Sequence, residues 1–153
     1  MNVYADDWDS QQSRPGFTWN RKRIAGDLLG MSVYELPPGE KSFPYHVHHA
    51  NEEMLVVLAG TPTLRTPEDE RVLSPGDATV FRRGADGAHQ VRNDSGEPVR
   101  YLMVSTLVSP DVAEYPDSGK VGAMARPPGE RNRPGLVAVF PLDAAVDYFE
   151  GER

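Results

Sequence analysis

Residues 44–60 read Pro-Tyr-His-Val-His-His-Ala-Asn-Glu-Glu-Met-Leu-Val-Val-Leu-Ala-Gly. The last eight residues decide the fold class. Glu53–Ala59 is a short, almost continuous apolar run, closed by Gly60. A run of that length suits a buried strand, because a buried helix needs ten or more residues. The residues before it carry the chemistry. In a strand, side chains at i and i+2 share a face, about 6–7 Å apart. His46 and His48 therefore point the same way and His49 points the other way. Only one of Glu52 and Glu53 can face inward with Leu55 and Val57, and parity selects Glu53.

The same strand-and-turn pattern extends outward. Gly and Pro contribute 14 residues each, spread along the chain between short β-branched and aromatic runs. That spacing predicts an all-β fold. Strands are expected at Met31–Leu36, Phe43–His49, Glu53–Ala59, Ala78–Arg82, His89–Asn93 and Val99–Val108. Thr61–Thr66 and Glu70–Leu73 read as a hairpin. Arg83–Ala88 reads as a loop. Residues up to about Leu29 show weak periodicity and are expected to pack as an arm. The tail from Ser109 is rich in Pro, Gly and charge through Arg133. An apolar strand, Leu136–Phe140, and one or two helical turns over Asp143–Phe149 should follow. The 153 residues suit one domain, with a barrel core over about 30–108 and a C-terminal extension, 109–153, that wraps the barrel or reaches a partner.

Composition narrows the chemistry. There is no cysteine, so disulfides, thiolate metal sites and Cys nucleophiles are excluded. The net charge is −7 with a pI near 5.0, which argues against nucleic acid as the main partner. Arg21-Lys22-Arg23 and Arg82-Arg83 read as solvated edges or ion-pair partners. The N-terminus lacks the basic and apolar stretches of a secretory signal, and no segment has the ~20 apolar residues of a membrane helix. A cytoplasmic protein without a membrane partner is expected. No phosphate-binding Gly-rich loop and no G-x-S-x-G elbow occurs.

A metal ion must then rely on His and carboxylates. His46 and His48 can converge on one ion at ~2.1 Å per nitrogen, and Glu53 adds an oxygen. The one histidine left is His89, which opens a later strand after a Gly-containing loop. Pro44, Leu55, Val57 and Val91 are expected beside the ligands by parity, with Phe81, Tyr101 and Met103 as further wall candidates.

Two stretches resemble the paired motifs of the cupin superfamily. Gly39…His46-Val47-His48, four residues, Glu53, six residues, Gly60 resembles the first motif, with one extra residue before His46. Gly76, five residues, Arg82-Arg83-Gly84, four residues, His89, three residues, Asn93 resembles the second. Arg82 stands where proline is usual, and the Gly84–His89 loop is two residues longer. Tyr115-Pro116-Asp117-Ser118-Gly119-Lys120 is similar to the tail of small single-domain cupins. The resemblance implies a six-stranded antiparallel jelly-roll β-barrel with one divalent metal ion on His46, His48, Glu53 and His89. Fe, Mn, Ni, Co, Cu and Zn all suit such a donor set. A metal-dependent enzyme, oxygenase-like or an isomerase or lyase, acting on a small polar molecule is the implied function. A non-catalytic small-molecule binding or sensor module is the alternative. Family resemblance and the apolar tail point to a homodimer.

Overall fold

The computed structural model describes residues 1–125 and 135–152. Strands dominate it, and the helical content of the described residues is three short 3-10 turns. The strands are β1 (Ser10–Arg14), β2 (Phe17–Ala25), β3 (Leu29–Leu36), β4 (Val47–His48), β5 (Glu53–Ala59), β6 (Thr63–Arg65) and β7 (Glu70–Val72). After them come β8 (Ala78–Phe81), β9 (Gln90–Arg92), β10 (Val99–Thr106), β11 (Asp111–Tyr115), β12 (Lys120–Ala125) and β13 (Leu136–Pro141). They form an antiparallel jelly-roll barrel from sheets ordered β1-β2-β3-β10-β5-β8, β13-β12-β11-β4 and β7-β6-β9.

Register explains which side chains face inward. Arg21 pairs with Tyr34, Tyr34 with Tyr101, and Tyr101 with Val57. One row on, Arg23, Ser32, Met103 and Leu55 are aligned, and beyond it Gly30, Ser105 and Glu53. The barrel interior is thus graded. At one end Leu36, Leu55, Val57, Leu64, Val99 and Tyr101 are fully buried in one apolar cluster with Trp19. Burying each such side chain stabilises the fold by about 1.5–3 kcal/mol. At the other end Arg, Ser and Glu line the interior, and there the site lies.

The segment before Leu29 holds two strands where an arm was expected. Its alternation is carried by Trp19, Arg21 and Arg23 on one face and by Asn20 and Lys22 on the other. Long polar side chains hide that period from a hydrophobicity count. Lys22 is only 1% exposed. Its ammonium donates to Asp7 at 2.8 Å and to the Ala5 carbonyl, and lies 5.2 Å from the Trp8 ring. Arg100 binds Asp6 and the Tyr4 carbonyl from the same outer face. Residues 4–8 therefore do pack as an arm against the sheet.

Elsewhere the strand expectations hold to within a few residues, with one exception. The expected Phe43–His49 strand is reduced to β4 and an isolated bridge between His46 and His89. Much of the Pro- and Gly-rich stretch through Arg133 lies outside the described residues. Its described part, up to residue 125, holds the paired strands β11 and β12, and β11 pairs with β4. A 3-10 turn at Leu142–Ala144 stands where helical turns were expected.

Candidate metal centre

Glu53 is the first residue of β5 and faces inward with Leu55 and Val57, while Met54 is exposed. His46 and His89 are held opposite each other by reciprocal backbone bonds, His46 N to His89 O at 3.1 Å and His89 N to His46 O at 2.9 Å. The longer Gly84–His89 loop is absorbed in a 3-10 turn, Ala85–Gly87, closed by Gly87 N to Gly84 O and anchored by Gly84 N to His48 O. This compact turn returns His89 to the site. Gly87 sits so close to the Arg82 carbonyl that a Cβ would lie 1.6 Å from its oxygen, so the tight turn requires glycine here.

His48 lies on β4, which is paired with β11. Its Nδ1 donates to Asp111 Oδ2 at 2.6 Å, and Asp111 Oδ1 accepts from Ala50 N at 2.9 Å. His46 Nδ1 donates to the Pro44 carbonyl at 2.8 Å, and His89 Nδ1 to the Gly87 carbonyl at 2.9 Å. A carbonyl oxygen carries no proton, so Nδ1 must be the protonated nitrogen in both rings. The neutral rings then present bare Nε2 lone pairs.

These donors converge. One ligand atom each from His46, His48 and Glu53 lies within 4.8 Å of the other two. Glu53 Oε2 is 3.8 Å from His48 Nε2 and 3.3 Å from His89 Nε2. Donors each about 2.1 Å from one ion in an octahedron lie about 3–4 Å apart, so the spacing fits a metal ion. His89 Nε2 is the clearest sign. It is buried and has no hydrogen-bond partner, because its contact with Glu53 sets two acceptors face to face. A buried unpaired acceptor is destabilising unless a donor or cation meets it.

Burial, then the neighbouring imidazoles of His89 and His48, push the His46 ring down to about 4, so it stays neutral and able to ligate. Burial pushes the Glu53 carboxyl up, but its contact with His89 and the nearness of His48 and His46 outweigh that and hold the carboxyl below its usual range. The set of neutral imidazoles and one carboxylate could hold a divalent ion.

Phe81 stacks on His89 at 3.7 Å between ring centroids, which locks the ring. His49 faces away and binds Glu114 at 2.5 Å, and Glu52 is exposed. Pro44, Val91 and Met103 do line the cavity at the site, about 290 Å³, together with Phe43, Tyr115 and Met124. Leu55, Val57, Phe81 and Tyr101 belong to the packed core. Arg82 is exposed. A second cavity, about 430 Å³, shares His48, Glu53, Tyr34, Met103 and Met124 with the first and is otherwise lined by polar residues such as Arg21, Arg23, Ser32 and Ser105 together with Leu107 and Val108. Asp111 was not anticipated beside His48, and Arg21 and Arg23, read from the sequence as an edge or ion-pair partners, lie on the lining of the second cavity. The alternation Trp19-x-Arg21-x-Arg23 was a signal for the two arginines. Asp111 had none, since it meets His48 through a long-range strand pairing.

A family model described as "Cupin domain" matches residues 32–105. A putative sugar phosphate isomerase from Acidithiobacillus ferrooxidans is 25% identical, with a TM-score of 0.77 over 89% of this chain and 86% of that one. A sugar phosphate isomerase described as from a cupin superfamily, from Silicibacter pomeroyi, is also 25% identical, with a TM-score of 0.70 over 86% and 80%. A predicted oxalate decarboxylase from Thermotoga maritima shares the fold, with 17% identity and a TM-score of 0.59 over 71% and 100%. No curated protein matches the chain.

Proposed function

We propose that the chain, whose residues 32–105 match the cupin-domain model, is a metal-dependent enzyme acting on a small polar organic molecule, most closely an isomerase. The observation that carries the reading is the convergence of His46, His48 and Glu53, with His89 Nε2 3.3 Å from Glu53 Oε2 and the Nδ1 of each of the three rings already bonded. Isomerisation is favoured over oxygenase chemistry by the two neighbours described as sugar phosphate isomerases, each matched over most of its length.

His46, His48, His89 and Glu53 would hold the ion. When bound, a divalent ion supplies Lewis acidity toward a substrate oxygen. The protein's own groups do the rest. Asp111 and the Pro44 and Gly87 carbonyls fix the ring orientations and raise ligand basicity. Phe43, Val91, Met103 and Met124 form a largely apolar wall that excludes water from the ligands. Tyr34 lines both cavities and places a phenol near the reacting region. A second copy of the chain is the partner expected of the exposed apolar residues of β13 and the segment after it, Leu136, Val137, Phe140, Leu142, Tyr148 and Phe149.

Elemental analysis should find about one divalent metal per chain, and His48→Ala should lose it while remaining folded. The metal-loaded protein should interconvert aldose and ketose phosphates, followed by NMR, and the chelator-treated protein should not. Metal content unchanged in folded His48→Ala protein overturns the metal assignment. A loaded protein inert toward the whole panel overturns the isomerase assignment.

A further inference from the structure

The outer face of the six-stranded sheet is apolar where water should make it polar. Ile24, Met31, Val104, Met54 and Val80 form one unbroken row across β2, β3, β10, β5 and β8. In the next row Val33, Leu102 and Val56 are aligned. An antiparallel sheet with a solvated face ordinarily puts polar residues there. The N-terminal arm covers this face at the end that carries Lys22 and Arg100. Beyond that cover Ile24, Met54 and Val80 are 51%, 44% and 48% exposed. A contiguous apolar patch of this kind marks a contact surface. The C-terminal extension has the matching want. Among the described residues β13 pairs with β12 alone. Leu136 and Phe140 on one side of it, and Val137 and Val139 on the other, are all exposed. A strand that packs neither face has little to hold it in water. Tyr148 and Phe149 beyond it are exposed as well.

We propose that the outer face of the six-stranded sheet receives β13 and residues 142–152 of a second copy, each copy giving one such arm and receiving the other. The proposal rests on the reading of that arm as the contact to a second copy, and the receiving surface is what it adds. Reciprocal exchange of one element closes as a two-fold dimer. Charge and size favour a second copy as the occupant. A chain of net charge −7 repels a copy of itself unless the surfaces that meet are uncharged or opposite in sign. The row from Ile24 to Val80 holds no charge. Arg82 and Arg83 follow β8 directly and are exposed, with no ion pair among the described residues. The arm brings Asp143, Asp147, Glu150 and Glu152 and no cation. Glu52 and Asp86 also flank the arginine end, so charge orients the arm and apolar contact holds it. Arm and face together offer roughly 25 residues a side, within the ~20–30 of a standard stable interface. Phe140, Tyr148 and Phe149 are the aromatic anchors that interface cores favour.

Light scattering on the full chain should give a dimer. Val80→Glu and Ile24→Glu each set a carboxylate in the apolar row and should weaken dimerisation about tenfold or more. Circular dichroism should not change, because both side chains are exposed in the single chain. Cross-linking reads the geometry directly. The chain has no cysteine of its own, so Val80→Cys protein mixed with Phe149→Cys protein and treated with a short bis-maleimide should give a covalent pair. Its yield should exceed that of Val80→Cys mixed with Glu68→Cys, which labels a turn away from the proposed contact. Where a glutamate variant does not fold, the cross-link decides alone. A monomeric wild-type protein overturns this proposal and the dimer reading of the arm together. A wild-type dimer that persists in both folded glutamate variants and shows no preferred Val80–Phe149 cross-link rejects the sheet face alone. Phe140→Glu should still break that dimer, so the two failures are separable.

Discussion

Asp111 does for His48 what backbone carbonyls do for His46 and His89: it accepts the hydrogen bond from Nδ1–H and leaves Nε2 free. It differs in carrying a charge, which makes the ring a stronger donor to a cation. Asp111→Asn keeps one acceptor oxygen, enough for His48 Nδ1, but sets its NH2 against Ala50 N and removes that charge. The expected outcome is metal affinity lower by about 10–100-fold with little change in fold, measured by competition with a chromophoric chelator. Undiminished affinity would show that the carboxylate only positions the loop. Single residues also show what was legible in the sequence. Period-two alternation fixes inward Glu53 and outward Glu52 and His49, because parity is a property of the strand itself. Asp111 escaped because its partner is 63 positions away and no local period marks it. Arg21 and Arg23 were set aside as an edge because a run of three cations looks solvated. Strand alternation instead divides the run, sending Lys22 to the outer face beneath the N-terminal arm and the two arginines inward.

Among elements, the Arg83–Ala88 connection has the largest effect for its length. Its two extra residues are taken up by one 3-10 turn, so His89 re-enters the sheet opposite His46. Loop length from the sequence shows that there is slack but not where it goes, since the answer depends on backbone bonds to His48 and Ala85. Gly87 is where the turn is tightest. Gly87→Ala must push the Arg82 carbonyl away from a contact of 1.6 Å, which breaks the turn and moves the Gly87 oxygen that orients His89. The expected outcome is a loss of at least about 2 kcal/mol of stability in denaturant titration, together with weakened metal binding. Retention of both would mean that the turn has another low-energy form. The second motif's Asn93 closes the next connection. It is fully buried, accepts from Ser95 N, and donates to the Leu36 and Glu97 carbonyls. Its expected role in holding that turn is what these bonds provide.

Across the molecule, the candidate ligands come from opposite sides of the barrel mouth. Glu53 belongs to the six-stranded sheet, His48 to the sheet built on β11 and β12, and His46 and His89 to the bridge between. An ion held by all four would bind the assembled protein and not the unfolded chain. Such binding stabilises by about 2.7 kcal/mol at a hundredfold excess over Kd. For a chain of this size that corresponds to a rise in Tm of about 5–10 °C, so chelation should lower the midpoint in differential scanning calorimetry by that amount. An unchanged midpoint in protein shown to have lost its metal would contradict ligation from both sheets. A chain without cysteine has no covalent link between its distant segments, and the tail is tied to the barrel by the two-residue pairing of β4 with β11 and by side-chain bonds such as Arg65 to Asp117. An ion held there would act as a reversible fastening, and the ease with which a protease cuts after Thr106 would then gauge free metal.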